Sequence, residues 1–160
     1  MTKLLRSIRF DASDSHVFPK AAGPDEWAVS GAFAFAGLEE RPRGKARQAF
    51  VNGFLSLESF GWATFVTVAD CPAAERAAML KRLAMHLVGH YGAPDLATAL
   101  PAAEEEIAYA EDLCRDAPIN RLFAVRRRFD EAGRLHEAFR MVQPPVETPH
   151  AKVWEILDDA

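Results

Sequence analysis

Cysteine is nearly missing from this sequence: Cys71 and Cys114 are the only two. Two thiols are too few for a disulfide-stapled scaffold, and neither has a C-x-x-C neighbour for zinc or redox chemistry. Reduced, packed thiols are expected, with one bridge between them as the alternative. Long apolar runs are lacking as well. None approaches the ~20 residues that cross a bilayer, and the amino-terminal MTKLLRSIRFDASD meets charge before an h-region could form. The expectation is a soluble, cytoplasmic protein with no membrane partner. Nor is there an excess of basic charge: 19 Lys and Arg stand against 23 Asp and Glu, a net charge of −4, which supplies no broad field for nucleic acid. The sequence also has no G-x-G-x-x-G fingerprint, no G-x-x-x-x-G-K-S/T phosphate loop and no G-x-S-x-G elbow. No cofactor is therefore expected, and no catalytic residue stands out.

What is present is apolar residue in quantity. Hydrophobic side chains make up 49% of 160 residues, enough to bury one substantial core, and neither an internal repeat nor a low-complexity tract divides the chain. One α+β domain over residues 1–160 is expected, with 143–160 as a carboxy-terminal docking segment.

Hydrophobic period places the elements. Residues 4–10 and 27–36 read as strands, the second because Trp27, Val29, Phe33 and Phe35 recur at period two. Between them, VFPKAAGPDE carries two prolines and a glycine and reads as a loop. Residues 48–57 and 61–69 form the simplest hairpin, although AFVNGFLSLESF can also be drawn as a helix. Asp70 and Pro72 open the clearest helix, whose stripe of Leu80, Leu83, Ala84, Leu87 and Tyr91 turns inward while Arg76, Lys81 and Arg82 stay wet; Gly92 and Pro94 stop it. A second helix is expected from Pro101 to Cys114, with Glu104, Glu105 and Glu106 in its early turns opposing the dipole. Residues 121–142 read as a hairpin turning at DEAG, and 150–158 as a short terminal strand or helix. The expected fold class is α+β: an antiparallel sheet of about five to six strands with two principal helices on one face.

The net charge resolves into blocks: +1 over residues 1–69, −5 over 70–114, +3 over 115–142 and −3 over 143–160. The acidic block supplies Glu104 with Glu111, and Glu105 with Asp112, on shared helix faces; a solvated face is the plain reading and acid-base catalysis the alternative. His86 and His90 are four apart on one helix and form the best metal seed, but HLVGH lacks the H-E-x-x-H glutamate, and a third ligand from His16, His136 or His150 would have to come by folding. Ser56, Ser59 and Thr64 are nucleophiles only if folding supplies a base.

The basic hairpin carries the most suggestive constellation. Arg126 and Arg128 share one strand face with Leu122 and Ala124, and Arg134 or Arg140 can come near on the paired strand; their planar forks suit a carboxylate or phosphate. Arg127 falls on the other face and interrupts the apolar run of Phe123, Val125 and Phe129. The aromatics Phe50, Phe54, Phe60, Trp62 and Phe65 read first as core and secondly as a pocket wall.

Two main readings follow. The first is a small non-enzymatic accessory protein that presents a sheet edge or the arginine hairpin to a protein partner or a second copy of itself. The alternative is a binding protein or enzyme for a small anionic ligand, with Arg126, Arg128, Arg140 and Trp62 as ligand-binding residues. A metal-binding protein using His86 and His90 is the third.

Overall fold

The computed structural model describes residues 1–9, 14–38 and 40–142. Its elements run β1 (Thr2–Ile8), α1 (Asp14–Val17), β2 (Trp27–Val29), α2 (Gly44–Asn52), β3 (Phe54–Ser56), β4 (Trp62–Ala63), β5 (Phe65–Cys71), α3 (Ala73–His90), α4 (Leu96–Cys114), β6 (Leu122–Phe129) and β7 (Leu135–Val142), with a 3-10 turn at Ala32–Phe35. The strands make one sheet in the order β4-β3-β2-β1-β5-β6-β7, and every named strand pair is antiparallel. This is the α+β class expected, with seven strands in place of five or six.

β1 sits at the centre of the order, and consecutive residues Leu4 and Leu5 are both fully buried, so both of its faces are covered. It pairs along its whole length with β5, from Thr2 opposite Cys71 to Ile8 opposite Phe65. α4 lies across β1 and β2, and α3 lies against α4. The inward stripe of α4 is Ala99, Ala103, Ile107, Ala110 and Cys114, whose small side chains let the helix come close to its neighbours. Leu83, Ala84 and Leu87 of α3 close the same core, as the helical period required.

Several boundaries differ from the sequence expectation. Residues 44–52 are helix, so the alternative drawing of AFVNGFLSLESF holds for its first part: Gly53 caps α2 with its N–H on Ala49 O, and β3 follows at once. The strand expected over 27–36 ends at Val29, where Gly31 (φ +84°) turns the chain and a Cβ would strike Leu55 and Trp62. The strand expected over 61–69 divides at Thr64, whose hydroxyl donates to Asp14 of α1. α4 begins five residues before Pro101, because the Asp95 carboxylate accepts the Thr98 N–H and caps an earlier start. Glu104, Glu105 and Glu106 are consequently in the middle of α4, too far from its amino end to act on the dipole. Asp70 belongs to β5, and Pro72 alone stands at the start of α3. The docking segment 143–160, with the terminal element at 150–158 and His150, lies outside the described residues.

Both cysteines are free and buried. Burial pushes the Cys114 thiol up to about 12 and raises Cys71 as well, so both are inert packed thiols at neutral pH. Among the described residues, no helix is long and apolar enough to cross a membrane.

Candidate functional site: the arginine hairpin and its cleft

β6 and β7 pair in full register, from Leu122 opposite Val142 to Phe129 opposite Leu135. The turn is held by Asp130, whose Oδ1 accepts from Ala132 N and Arg134 N, and by Gly133 at φ +82°. His136 Nε2 lies 2.8 Å from Asp130 Oδ2, and that contact leads the hydrogen bonds that hold the Asp130 carboxyl down at about 2.

Alternation divides the hairpin into two faces of different character. Arg126 and Arg128 are exposed; they stand opposite Ala138 and His136, and Arg140 stands opposite Ala124. Among the described residues none of these three arginines has a carboxylate partner within ion-pair distance. Arg127 points the other way and is 1% exposed. Its Nε donates to Glu137 Oε2 at 2.7 Å, its Nη1 donates to Phe50 O at 2.9 Å and Gly53 O at 2.8 Å, and its Nη2 donates to Ser30 O. One guanidinium therefore satisfies carbonyls at the carboxy end of α2 and the end of β2, where a positive charge also meets the negative end of a helix dipole. Burial pulls the Arg127 pKa down, and Glu137 opposes that. Glu137 also accepts from Ser30 Oγ and, at 3.3 Å, from Tyr109 Oη of α4.

Beside the hairpin is a cleft of about 760 Å³ whose wall includes Arg126, Arg128 and Phe129 of β6, Arg41, and Arg47 and Phe50 of α2. Phe50 and Phe129 are stacked, with centroids 4.4 Å apart and planes at 4°, and the Arg41 guanidinium lies 4.8 Å from the Phe129 centroid. The only carboxylate among its described lining residues is Glu137, already engaged by Arg127. Of the four ligand residues the sequence singles out, Arg126 and Arg128 line this cleft, whereas Arg140 is exposed on β7 away from it. Trp62 belongs to β4, at the opposite end of the strand order, and is a core residue in contact with Phe35. The aromatic wall comes instead from Phe50 and Phe129. Sequence reasoning missed Arg41 and Arg47, because nothing in LEERPRGKAR shows that α2 will fold back onto β6; their only signal was the basic character of that segment.

The other sequence candidates have local partners. Glu104 and Glu111 do share a face of α4, and both bind Arg76 of α3: Nη2 to Glu104 Oε2 at 2.7 Å and Nε to Glu111 Oε2 at 2.6 Å. Arg76 is thus a bridge between helices, not a wet side chain as its position outside the apolar stripe suggested. His86 is stacked on Phe60 at 3.7 Å and lies 4.7 Å from His90; burial and then His90 lower its pKa. Among the described residues, no group of three or more His, Cys, Asp or Glu could hold a metal ion. Ser56 and Ser59 bond to Glu26, and Thr64 to Asp14.

A family model covers residues 1–153, nearly the whole hairpin-bearing domain included. The chain belongs to DUF6505, a family of unknown function. No curated protein and no solved structure matches it. Family membership thus supplies no chemistry, and the hairpin and cleft are the features of this DUF6505 domain from which a role is to be read.

Proposed function

We propose that this protein is a non-enzymatic interaction domain whose β7 edge takes up an extended, acidic segment of a partner protein. The observation that carries this reading is that, among the described residues, β7 is the last strand of the sheet and its long edge lies beside arginines without a carboxylate partner. Asp130 N–H donates to Arg134 O at the turn, which fixes the phase of the ladder. Antiparallel alternation then aims the N–H and C=O of Leu135, Glu137, Phe139 and Met141 away from β6, toward the open side. A partner strand there gains main-chain hydrogen bonds, and its side chains fall next to His136, Ala138 and Arg140. Ala138 is only a methyl, so it does not block the Arg126 side chain opposite it from reaching toward the edge. The same arginines repel a second copy of β7, favouring an acidic partner over self-association. The cytoplasm fits this reading, because two buried free thiols are at home in a reducing compartment.

The test uses a synthetic peptide of about ten residues, alternating Glu and Val, and a Lys-for-Glu counterpart, read by fluorescence anisotropy. The acidic peptide is expected to bind and the basic one not to. Met141→Pro removes an outward donor at a half-exposed edge position, where proline is tolerated. It should weaken peptide binding about tenfold while leaving the melting curve in place. Equal binding of both peptides, or no effect of Met141→Pro, would overturn the reading.

A further inference from the structure

We infer that the cleft between α2 and β6 is a binding site for a planar aromatic small molecule carrying a doubly charged anionic group, a phosphate monoester being the simplest. This goes beyond the edge-strand reading: the two share Arg126, but the cleft rests on Arg41, Arg47, Arg128, Phe50 and Phe129, none of which the edge uses. The volume, about 760 Å³, lies within the range of pockets that enclose small ligands. Its charge is one-sided: Arg41, Arg47, Arg126 and Arg128 converge on it, and none of them has a carboxylate partner among the described residues. Glu137, the lone carboxylate among the described residues of the wall, is engaged by Arg127. Four like charges gathered on a chain of net charge −4 repel one another, a cost that an anion in their midst removes.

The aromatic half of the assignment comes from the wall itself. Phe50 and Phe129 are already stacked, and Phe129 is only partly buried, so the pair presents a ring to the cleft beside the guanidinium groups. Phe50 covers one face of Phe129 and the Arg41 guanidinium lies over the ring, so the aryl ring of a ligand takes the place of Arg41 there and frees that guanidinium for the anion. A ligand with an aryl ring and a phosphate satisfies both halves at once: the ring packs on the phenylalanines, and the phosphate accepts from the forks of Arg47, Arg126 and Arg128. A bare inorganic anion uses only the second half.

Phenyl phosphate, inorganic phosphate and benzyl alcohol serve as probes in a titration followed by the His136 and phenylalanine ring resonances. Phenyl phosphate is expected to shift them saturably and to bind about tenfold more tightly than inorganic phosphate, with benzyl alcohol weaker than both. Arg47→Ala and Arg128→Ala change exposed side chains and leave the fold intact; each should lower phenyl phosphate affinity about tenfold. Met141→Pro should leave it unchanged, which separates this site from the β7 edge. Inorganic phosphate binding as tightly as phenyl phosphate would overturn the aromatic assignment. Unchanged affinity in both arginine variants, or no saturable shift with any probe, would overturn the site.

Discussion

Arg127 is the residue on which β6, β7, the carboxy end of α2 and the end of β2 converge. Removing it leaves Glu137 without its charge partner and the carbonyls of Phe50, Gly53 and Ser30 without their donor. Arg127→Met should therefore cost about 3–5 kcal/mol of stability in urea unfolding. Arg127→Lys should recover little, since one ammonium cannot reproduce the planar fork. Glu106 of α4 is the opposite case. Burial raises its pKa, and the negative charges of Glu137 and Glu105 add to the rise. A carboxyl whose folded pKa lies above its unfolded value favours folding while protonated and opposes it once ionised. Glu106→Gln should accordingly stabilise the protein at pH 7 and give a smaller difference at pH 3, as paired urea titrations would show. The sequence did carry a mark of Arg127, as the charged residue that breaks the apolar face of Phe123, Val125 and Phe129. It could not show which carbonyls that charge would serve, because Ser30, Phe50 and Gly53 reach it only through tertiary folding.

At the scale of elements, the long periodic segments were legible and the short ones were not. α3 and the β6–β7 hairpin follow from spacing, since an apolar stripe or alternation sustained over many residues admits one burial pattern. α2 was ambiguous because its short apolar run fits strand and helix alike. The pairing of α3 with α4 depends on Arg76 held between Glu104 and Glu111, two carboxylates that spacing placed on one face without naming their partner. Arg76→Ala should lower stability by about 1–2 kcal/mol, less than a fully buried pair would, because Glu104 is nearly half exposed and screened by water. The loss should be visible as a lower thermal midpoint at pH 7.

At the scale of the molecule, these carboxylates set the response to acid. The Glu104 and Glu111 pKa values are lowered chiefly by their hydrogen bonds to Arg76, and the net shift of Glu26 is also downward: burial opposes it, but the hydrogen bonds from Ser56, Ser59 and Gly23 outweigh that. A carboxylate held below its unfolded value of about 4.3 adds stability that is complete above that pH and is lost as pH falls through the folded pKa. The contribution of these three carboxylates to the urea midpoint should thus be complete above about pH 5 and be lost below about pH 4. In Arg76→Ala that decline should be shallower, because Glu104 and Glu111 lose the main cause of their lowered pKa values. The charge blocks acquire their meaning at this scale too: two carboxylates of the acidic 70–114 block, Glu104 and Glu111, are turned toward Arg76 of the same block, and the basic hairpin is left with open arginines. By itself the sequence determined the fold class, the two long helices and the hairpin, since apolar periodicity and turn chemistry are local properties. Only the tertiary structure decided that Arg127 is core while Arg126 and Arg128 face the cleft, that Phe50 and Phe129 rather than Trp62 form its aromatic wall, and that Arg41 and Arg47 join them. Those outcomes depend on which distant segments meet, and the packing of α2 onto β6 is not encoded in the spacing of either one.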